Sequence, residues 1–185
     1  MSPDFYDQPI LSLATALIGC ELLVDGVGGT IVETEAYQAS DPASHSFAGP
    51  TARNQAMWGP PGRAYVYRIY GLHWCLNIVG GATKGAAVLI RALEPTRGLD
   101  AMRARRRTED ARKLCAGPGR LAQALGVTGA HDGLALDAPP FELRPCEGEF
   151  SIAVGPRIGI TKAADEPWRF GLVGSPYLSR PFPKT

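Results

Sequence analysis

The spacing of apolar residues along the chain predicts many short strands and few helices. Residues 9–18 carry apolar side chains at helical spacing, with Pro9 in the first turn and Gly19 directly after, which predicts a helix. Further helices are expected over 98–114 and 120–125, the second ended by Gly126. The predicted strands are 21–24, 30–37, 64–69, 74–79, 86–93, 141–143, 151–154, 157–160 and 169–173.

Two carboxylates fall on one face of the predicted strand 30–37. Side chains alternate between the faces of a strand, so every second residue points the same way. The small residues Val32, Thr34 and Ala36 would pack on one face. The opposite face would carry Ile31, Glu33, Glu35 and Tyr37.

A β-hairpin and a long loop complete the local pattern. Aromatic and β-branched runs on both sides of Gly71 predict a hairpin whose tip is formed by residues 70–73. Residues 38–63 are rich in Ser, Pro, Gly and Asn, and an ordered loop of this length within a compact domain is usually functional. Because no linker separates two cores, we predict a single α+β domain over 1–185 with mainly antiparallel strands.

Composition narrows the class of protein. Hydrophobic residues make up 45% and charged residues 20% of the 185 residues, which argues against a disordered or fibrous chain. No apolar run reaches the roughly 18 residues of a membrane span, and the first residues do not resemble a signal peptide. The four cysteines are scattered and only three histidines are present, so no zinc site is expected and reduced thiols in the cytosol are the default.

The net charge of +1 excludes a nucleic-acid binder that relies on overall positive charge, as a histone does. The basic residues are nevertheless uneven, because seven of the 19 lie between Arg97 and Lys113. This run is either the solvated face of a helix or a patch that contacts phosphate groups, which arginine binds well. Composition leaves both interpretations open.

Arg91 is the first candidate for chemistry, since it interrupts an otherwise apolar strand. An unpaired cation there would be costly, so a carboxylate partner is expected, and either Glu33 or Glu35 could serve. A buried salt bridge without a catalytic role explains the pair equally well.

Aromatic side chains are the second candidate, because five of them cluster within a short part of the sequence: Tyr37, Tyr65, Tyr67, Tyr70 and Trp74. Aromatic residues at strand spacing usually belong to a core. Tyr70 is different, since core packing does not explain a large aromatic residue where the chain turns. Third, His45 and the polar run 51–54 lie in the long loop, where binding residues collect.

The motifs that carry these residues resemble the alkyladenine (3-methyladenine) DNA glycosylase family. They follow the family's order over nearly the whole chain: IVETEAY (31–37), ASHS (43–46), TARN (51–54), YVYRIYG (65–71), the strand with Asn77, LIRALEP (89–95), CAGPGRLAQALG (115–126), RIGI (157–160) and PWRFGLVGSPYLS (167–179). The resemblance implies a curved, partly open, barrel-like sheet with flanking helices and a protruding hairpin.

The resemblance also implies catalytic roles. Glu35 would be the general base that activates a water molecule, and Arg91 would hold that water together with the main-chain carbonyl of Ile158. Glu35 would also stabilise the oxocarbenium character that the sugar acquires when the glycosidic bond breaks.

Roles in DNA binding follow from the same resemblance. Tyr37 and Tyr67 would sandwich the extruded base, and His45 would bind its edge. Asn77 would exclude guanine-type exocyclic amines, and Tyr70 would fill the gap left in the duplex. Contacts to the DNA backbone are expected from Thr51, Arg53, Arg105 and Arg106.

The implied enzyme is a monofunctional glycosylase that flips alkylated or deaminated purines out of double-stranded DNA and leaves an abasic site. It would act in the cytoplasm at the nucleoid as a monomer, with no metal or other cofactor, no membrane and no obligate protein partner. Simple hydrolysis is expected because Lys84, Lys113, Lys162 and Lys184 all lie outside the motifs, whereas a lyase needs a pocket amine. A DNA-binding module without activity and a nucleoside hydrolase are the alternatives. The motifs do not distinguish 3-methyladenine, 7-methylguanine, hypoxanthine and ethenoadenine.

Overall fold

The computed structural model describes residues 1–146 and 148–183. Its helices are α1 (Pro3–Tyr6), α2 (Ile10–Ala16), α3 (Leu99–Arg106) and α4 (Pro118–Leu125), with 3₁₀ turns at Gln55–Trp58, Ala111–Lys113 and Gly129–His131. Its strands are β1 (Glu21–Val24), β2 (Val27–Tyr37), β3 (Ala64–Ile69), β4 (His73–Val79), β5 (Ala87–Arg97), β6 (Phe141–Arg144), β7 (Ile152–Gly155) and β8 (Arg169–Leu172).

All strand pairs of the sheet are antiparallel, and the long strand β2 lies at its centre. The strand order is β3-β4-β5-β2-β1-β6. Strand β8 also pairs with β2, through residues 33–35, and β7 pairs with β8. Strand β5 pairs with one edge of β2 over residues 28–37. On the other edge, β1 pairs with residues 27–30 and β8 with residues 33–35. The result is a curled half-barrel, so the predicted α+β class with an antiparallel, partly open sheet is confirmed.

The two faces of the sheet have different partners. One face packs with α2 and α4 into the main core, where Leu13, Ile78 and Leu121 are fully buried. The hydroxyl of Thr34 donates to the carbonyl of Ala14 at 2.8 Å and joins β2 to α2. The other face carries a smaller cluster around Met57 and Tyr65, and the loop 38–63 covers it. This second face holds Glu33, Glu35 and Tyr37 of β2.

Two β-bulges sit in the middle of the β2–β5 pair. The pairing passes from Ile31–Leu93 to Glu33–Ala92 and then to Thr34–Ile90, so Val32 and Arg91 are each an extra residue. Bulges redirect side chains and break the alternation of a strand. The prediction that Ile31 shares a face with the two glutamates is therefore wrong, because Ile31 packs in the main core.

Most predicted elements are confirmed within three residues at their ends, the predicted strand 86–93 extends four residues further as β5, and two predictions are wrong. The helix expected over 98–114 ends at Arg106, because Arg107 adopts a left-handed conformation with φ of 54°. Residues 157–160 form no strand: the chain bends at Ile158 and Gly159, and Gly159 has φ of 80°. Within the described ranges, no helix combines the length and apolar character needed to cross a bilayer.

Candidate active site

Arg91 contacts both glutamates of β2. Its Nε lies 3.0 Å from Glu33 Oε1, and its Nη1 lies 3.1 Å from Glu35 Oε2. Both carboxylates are fully buried. The bulge at Arg91 accounts for this geometry, since the extra residue turns its side chain toward the carboxylates of the neighbouring strand. The expectation of a carboxylate partner is confirmed. Of the two candidates, Glu33 and Glu35, both contact Arg91.

Glu35 is held by three donors. Its Oε1 accepts from the amide N–H of Ile158 at 2.7 Å, and its Oε2 accepts from the hydroxyl of Tyr37 at 2.9 Å in addition to Arg91. Burial raises the pKa of Glu35 above its ordinary value, and the contacts with Arg91, Ile158 and Tyr37 oppose that rise. An ionised carboxylate has about four acceptor directions, so one remains for a water molecule.

Glu33 is fully occupied by structural contacts. Its Oε1 accepts from Arg91, from Arg169 Nε at 2.7 Å and from the hydroxyl of Ser179 at 2.7 Å. Its Oε2 accepts from the amide of Ser179 at 2.5 Å. Glu33 and Glu35 together with Arg91 and Arg169 form a cluster in which two negative and two positive charges balance; we call these four residues the ion cluster.

An aromatic cavity of about 190 Å³ lies between β2, β3 and the loop 38–63. Tyr37, which is hydrogen-bonded to Glu35, forms part of its wall. Burial raises the pKa of both Tyr37 and Tyr67, so both side chains are neutral phenols at pH 7. The predicted base-binding residues are all among those that line the cavity: Tyr37, His45, Tyr67 and Asn77.

Tyr65 orients the polar groups of this cavity. Its hydroxyl lies 2.8 Å from His45 Nδ1, which leaves Nε2 as the second hydrogen-bonding atom of the ring. Burial and the nearby Arg53 lower the pKa of His45, so the imidazole is neutral at pH 7. The main-chain carbonyl of Tyr65 accepts from Asn77 Nδ2 at 3.0 Å, which fixes the amide of Asn77.

Arg157 supports Tyr37 from behind the cavity. Its guanidinium carbon lies 4.7 Å from the ring centre of Tyr37 and 5.0 Å from that of Trp168. The same guanidinium is paired with Asp41 and donates to the carbonyl of Ala36 at 3.0 Å. This anchor holds the bend that follows it, and the bend brings the Ile158 amide to Glu35. The prediction for Ile158 concerned its main-chain carbonyl. The contact that the structure shows is made by its N–H group, which donates to Glu35.

Tyr70 stands at the tip of the predicted hairpin and is 83% exposed. The main-chain N–H of Leu72 donates to the carbonyl of Ile69 at 3.0 Å, and Tyr70 and Gly71 have φ of 52° and 67°. Two successive positive φ values are typical of a type I′ turn, which matches the twist of the flanking strands. Leu72 is also exposed, at 71%. The hairpin therefore presents two apolar side chains to solvent.

The four residues predicted to contact the DNA backbone fall into two groups. Thr51 is exposed, and Arg53 lines the cavity with its Nη2 3.2 Å from the carbonyl of Arg68. Arg105 and Arg106 instead contact α4, donating to the carbonyl of Ala124 at 2.9 Å and to the side chain of Gln123. Cations at a helix C-terminus stabilise the helix, so these two arginines have a structural role.

Sequence reasoning missed Arg157, Arg169 and Ser179. Arg169 carries the same signal that singled out Arg91, a cation within an apolar strand, and that signal could have found it. Arg157 carried this signal too, since it opens the predicted apolar strand 157–160, whereas Ser179 lies in a segment without regular structure and had no such signal. Among the described residues, no three His, Cys, Asp or Glu side chains are grouped so as to hold a metal ion.

Comparison with known proteins identifies the family to which this sequence is similar. The model of the methylpurine-DNA glycosylase family matches residues 4–176. A protein of Rhodopseudomonas palustris (strain HaA2) is 63% identical over 179 residues, which cover 96% of this chain and 89% of that protein. One of Nitrosospira multiformis is 61% identical over 173 residues, covering 93% and 90% of the two chains. One of Rhizobium meliloti (strain 1021) is 56% identical over 179 residues, covering 97% and 96%.

All three relatives carry the name "Putative 3-methyladenine DNA glycosylase". The family match extends from α1 to the segment after β8 and so includes the whole ion cluster and the cavity beside it. On these grounds the chain belongs to the methylpurine-DNA glycosylase family.

Proposed function

We propose that this protein removes alkylated purines from double-stranded DNA by hydrolysing the N-glycosidic bond with a water molecule activated by Glu35. Membership of the family makes the chain a DNA glycosylase, a hydrolase of DNA repair. The observation that carries the finer proposal is the position of Glu35: a carboxylate paired with Arg91 and hydrogen-bonded to a tyrosine that lines an aromatic cavity.

The cavity suits a cationic purine. Alkylation at a ring nitrogen makes the base positively charged, and tyrosine rings attract a cation by about 0.5–2 kcal/mol. We assign the two faces of the extruded base to Tyr37 and Tyr67. The neutral His45 then uses Nε2 at the edge of the base, because Nδ1 already contacts Tyr65. The hydrogen bond to the Tyr65 carbonyl fixes the orientation of the Asn77 amide. Because this amide is fixed, we assign to Asn77 the exclusion of a guanine-type amino group.

The reaction follows from the charges that develop. As the glycosidic bond breaks, its electron pair leaves with the base and positive charge builds up on the sugar. Glu35 stabilises that charge and accepts a proton from the attacking water, which bonds to the anomeric carbon. We assign the second contact of this water to the carbonyl of Ile158. The products are a free base and an abasic site.

Tyr70 is proposed to enter the duplex and replace the base that has left. Extrusion of a base costs a few kcal/mol, and an aromatic wedge recovers part of this by filling the gap in the stack. An 83% exposed tyrosine at the tip of a hairpin turn supports this role, because the side chain already points into solvent. A nucleoside hydrolase would have no use for such a tip, and a module that only binds DNA would have no use for Glu35.

Within the residues that the structure describes, the aromatic cavity has no lysine amine in its lining, which supports hydrolysis over a lyase reaction. Of the lysines in the described residues, Lys84, Lys113 and Lys162, none lines the aromatic cavity. Lys184 lies outside the described residues. We further propose that the protein acts as a monomer without an obligate protein partner, and that chromosomal DNA as substrate places it in the cytoplasm at the nucleoid.

An excision assay tests the proposal. Labelled duplexes carrying one 7-methylguanine, hypoxanthine or ethenoadenine are incubated with excess protein, and alkali then cleaves the strand at any abasic site. A duplex with no lesion is the control. We expect strand scission that depends on the lesion and appears only after alkali. Scission before alkali would indicate a lyase, and tight lesion binding without scission would indicate a binding module.

A further inference from the structure

In its described part, the C-terminal segment that follows β8 contacts the ion cluster and is not among the residues that line the base cavity. Ser179, which follows β8 in this segment, contacts Glu33 through both its amide and its hydroxyl. Its hydroxyl oxygen also lies 3.3 Å from Arg91 Nη2 and accepts from it. The next residue, Arg180, accepts from Arg169 through its carbonyl. The segment is therefore bound directly to three of the four charged side chains in the cluster.

Ser179 fixes the orientation of a rigid group. The guanidinium of Arg91 is planar, and its three nitrogens have three different partners. Nε contacts Glu33 at 3.0 Å, Nη2 contacts Ser179 at 3.3 Å and Nη1 contacts Glu35 at 3.1 Å. Because the group is planar, the first two contacts determine where the third nitrogen points.

We propose that Ser179 is a positioning residue for excision: its hydroxyl holds the Arg91 guanidinium so that Nη1 faces Glu35. This inference rests on the proposed function, since it concerns the same carboxylate. Ser179 is not among the residues that line the base cavity, and its hydroxyl contacts Arg91 and Glu33, so it would act on Glu35 through these neighbours.

Removal of the hydroxyl has a definite consequence for Glu35. Glu33 Oε1 accepts from Arg91, Arg169 and Ser179, so it is already the acceptor for two guanidinium groups. Without the hydroxyl, the buried Nη2 of Arg91 is left without its acceptor, and the guanidinium turns to find another. Its Nη1 then moves away from Glu35, which weakens the interaction that favours the ionised carboxylate.

Several charged and titratable groups surround Glu35 and bear on its protonation. They come from every element packed against it: Glu33 and Tyr37 of β2, Tyr67 of β3, Cys75 of β4, Arg91 of β5, Arg169 of β8 and Arg157 of the bend. Cys75 and the tyrosines remain neutral over the acidic range, since burial raises their pKa values. Of the charged groups in this list, Arg91 is the one that contacts the Glu35 carboxylate and is also held by the Ser179 hydroxyl.

The test compares Ser179→Ala with Ser175→Ala. Ser175 lies in the same segment, and its hydroxyl accepts from the amide of Tyr177, away from the ion cluster. The single-turnover rate of excision of 7-methylguanine from a duplex is measured across pH, together with the affinity for the same duplex. We expect Ser179→Ala to lower the plateau rate by about tenfold, the effect of one hydrogen bond to a charged group. Its acidic limb shifts to higher pH, its affinity changes by less than about twofold, and Ser175→Ala behaves as wild type.

Further variants keep the result interpretable. Ser179→Thr retains the hydroxyl and should restore both the rate and the acidic limb. If Ser179→Ala does not fold, as judged by circular dichroism, Ser179→Cys provides a weaker hydrogen-bonding group of similar size and should show a smaller shift in the same direction.

Two results overturn this inference alone: an unchanged rate and limb, or a lower rate with an unmoved limb, which would be a purely structural effect. Both require an active wild-type protein that loses activity on Glu35→Gln. A wild-type protein that excises none of the lesions would instead refute the proposed function, and this inference with it.

Discussion

Replacing Glu35 by glutamine removes one charge and little else from the site. The side chain keeps its size and one oxygen, so it can still accept from the amide of Ile158, 2.7 Å away in the native protein. Arg91 keeps its contact with Glu33. The net charge of the ion cluster rises by one. The variant should therefore fold, with its cavity intact, and lack only a base.

The expected decrease in rate can be worked out from two contributions. General base catalysis contributes about 10²–10⁴-fold. A negative charge about 4 Å from the developing sugar cation contributes about 4 kcal/mol at an effective dielectric constant of about 20, and at 1.36 kcal/mol per factor of ten this is about a thousandfold. The two effects overlap, since one carboxylate supplies both. We expect Glu35→Gln to slow excision by at least about a thousandfold.

The assay is single-turnover excision of 7-methylguanine from a labelled duplex, with binding to the same duplex followed by fluorescence anisotropy. Binding should persist or strengthen slightly, because a negative charge near the DNA has been removed. Glu21→Gln is the matched control: Glu21 also contacts two arginines, Arg97 and Arg144, each at 2.8 Å, but near the far edge of the sheet. Excision by Glu35→Gln at the wild-type rate would refute the role of Glu35, as would an equal decrease in Glu21→Gln.

Three further predictions concern the tip, the pH dependence and the basic run. Tyr70→Ala should weaken binding to a lesion duplex by about tenfold, because aromatic stacking is removed, and weaken binding to a lesion in a single strand less; equal weakening of both would argue against a wedge. The rate on 7-methylguanine, whose charge needs no added proton, should fall as the pH drops through the raised pKa of Glu35, giving an acidic limb above the ordinary value of 4.5; a flat profile down to that value would contradict an ionised base. Replacing Arg105, Arg106 and Arg107 by alanine should flatten the dependence of log K on log salt by about 0.9 for each phosphate that these arginines neutralise, whereas an unchanged slope with a lower melting temperature would restrict the run to supporting α4.

The sequence predicted the site well where a local rule applied. A cation in an apolar strand must be paired, and this rule alone connects Arg91 to the carboxylates of β2. The alternation of β2 placed Glu33, Glu35 and Tyr37 together. It failed at Ile31, because no residue pattern indicated the bulge at Val32. The alternation also could not predict which glutamate pairs with Arg91. In the structure, the bulge at Arg91 lets its side chain contact both.

The rest could not be predicted because it depends on contacts between distant segments. Ser179 and Glu33 are 146 residues apart in the sequence, and Ser179 lies in an irregular segment. Residues 157–160 alternate like a strand, yet the contact of Ile158 with Glu35 across 123 residues requires a bend. Arg107 ends α3 in a left-handed conformation at a point where the residue types alone would allow the helix to continue.

At the turn that contains Tyr70, the stability of the backbone conflicts with the role that we propose for the side chain. Left-handed backbone costs a residue with a side chain roughly 1–2 kcal/mol, and asparagine or glycine is the usual choice at this position of such a turn. A bulky ring at φ of 52° that is almost wholly in water adds nothing to the core. Any effort to make this protein more heat-resistant by correcting unfavourable backbone positions would thus begin by removing the side chain that we propose enters the duplex.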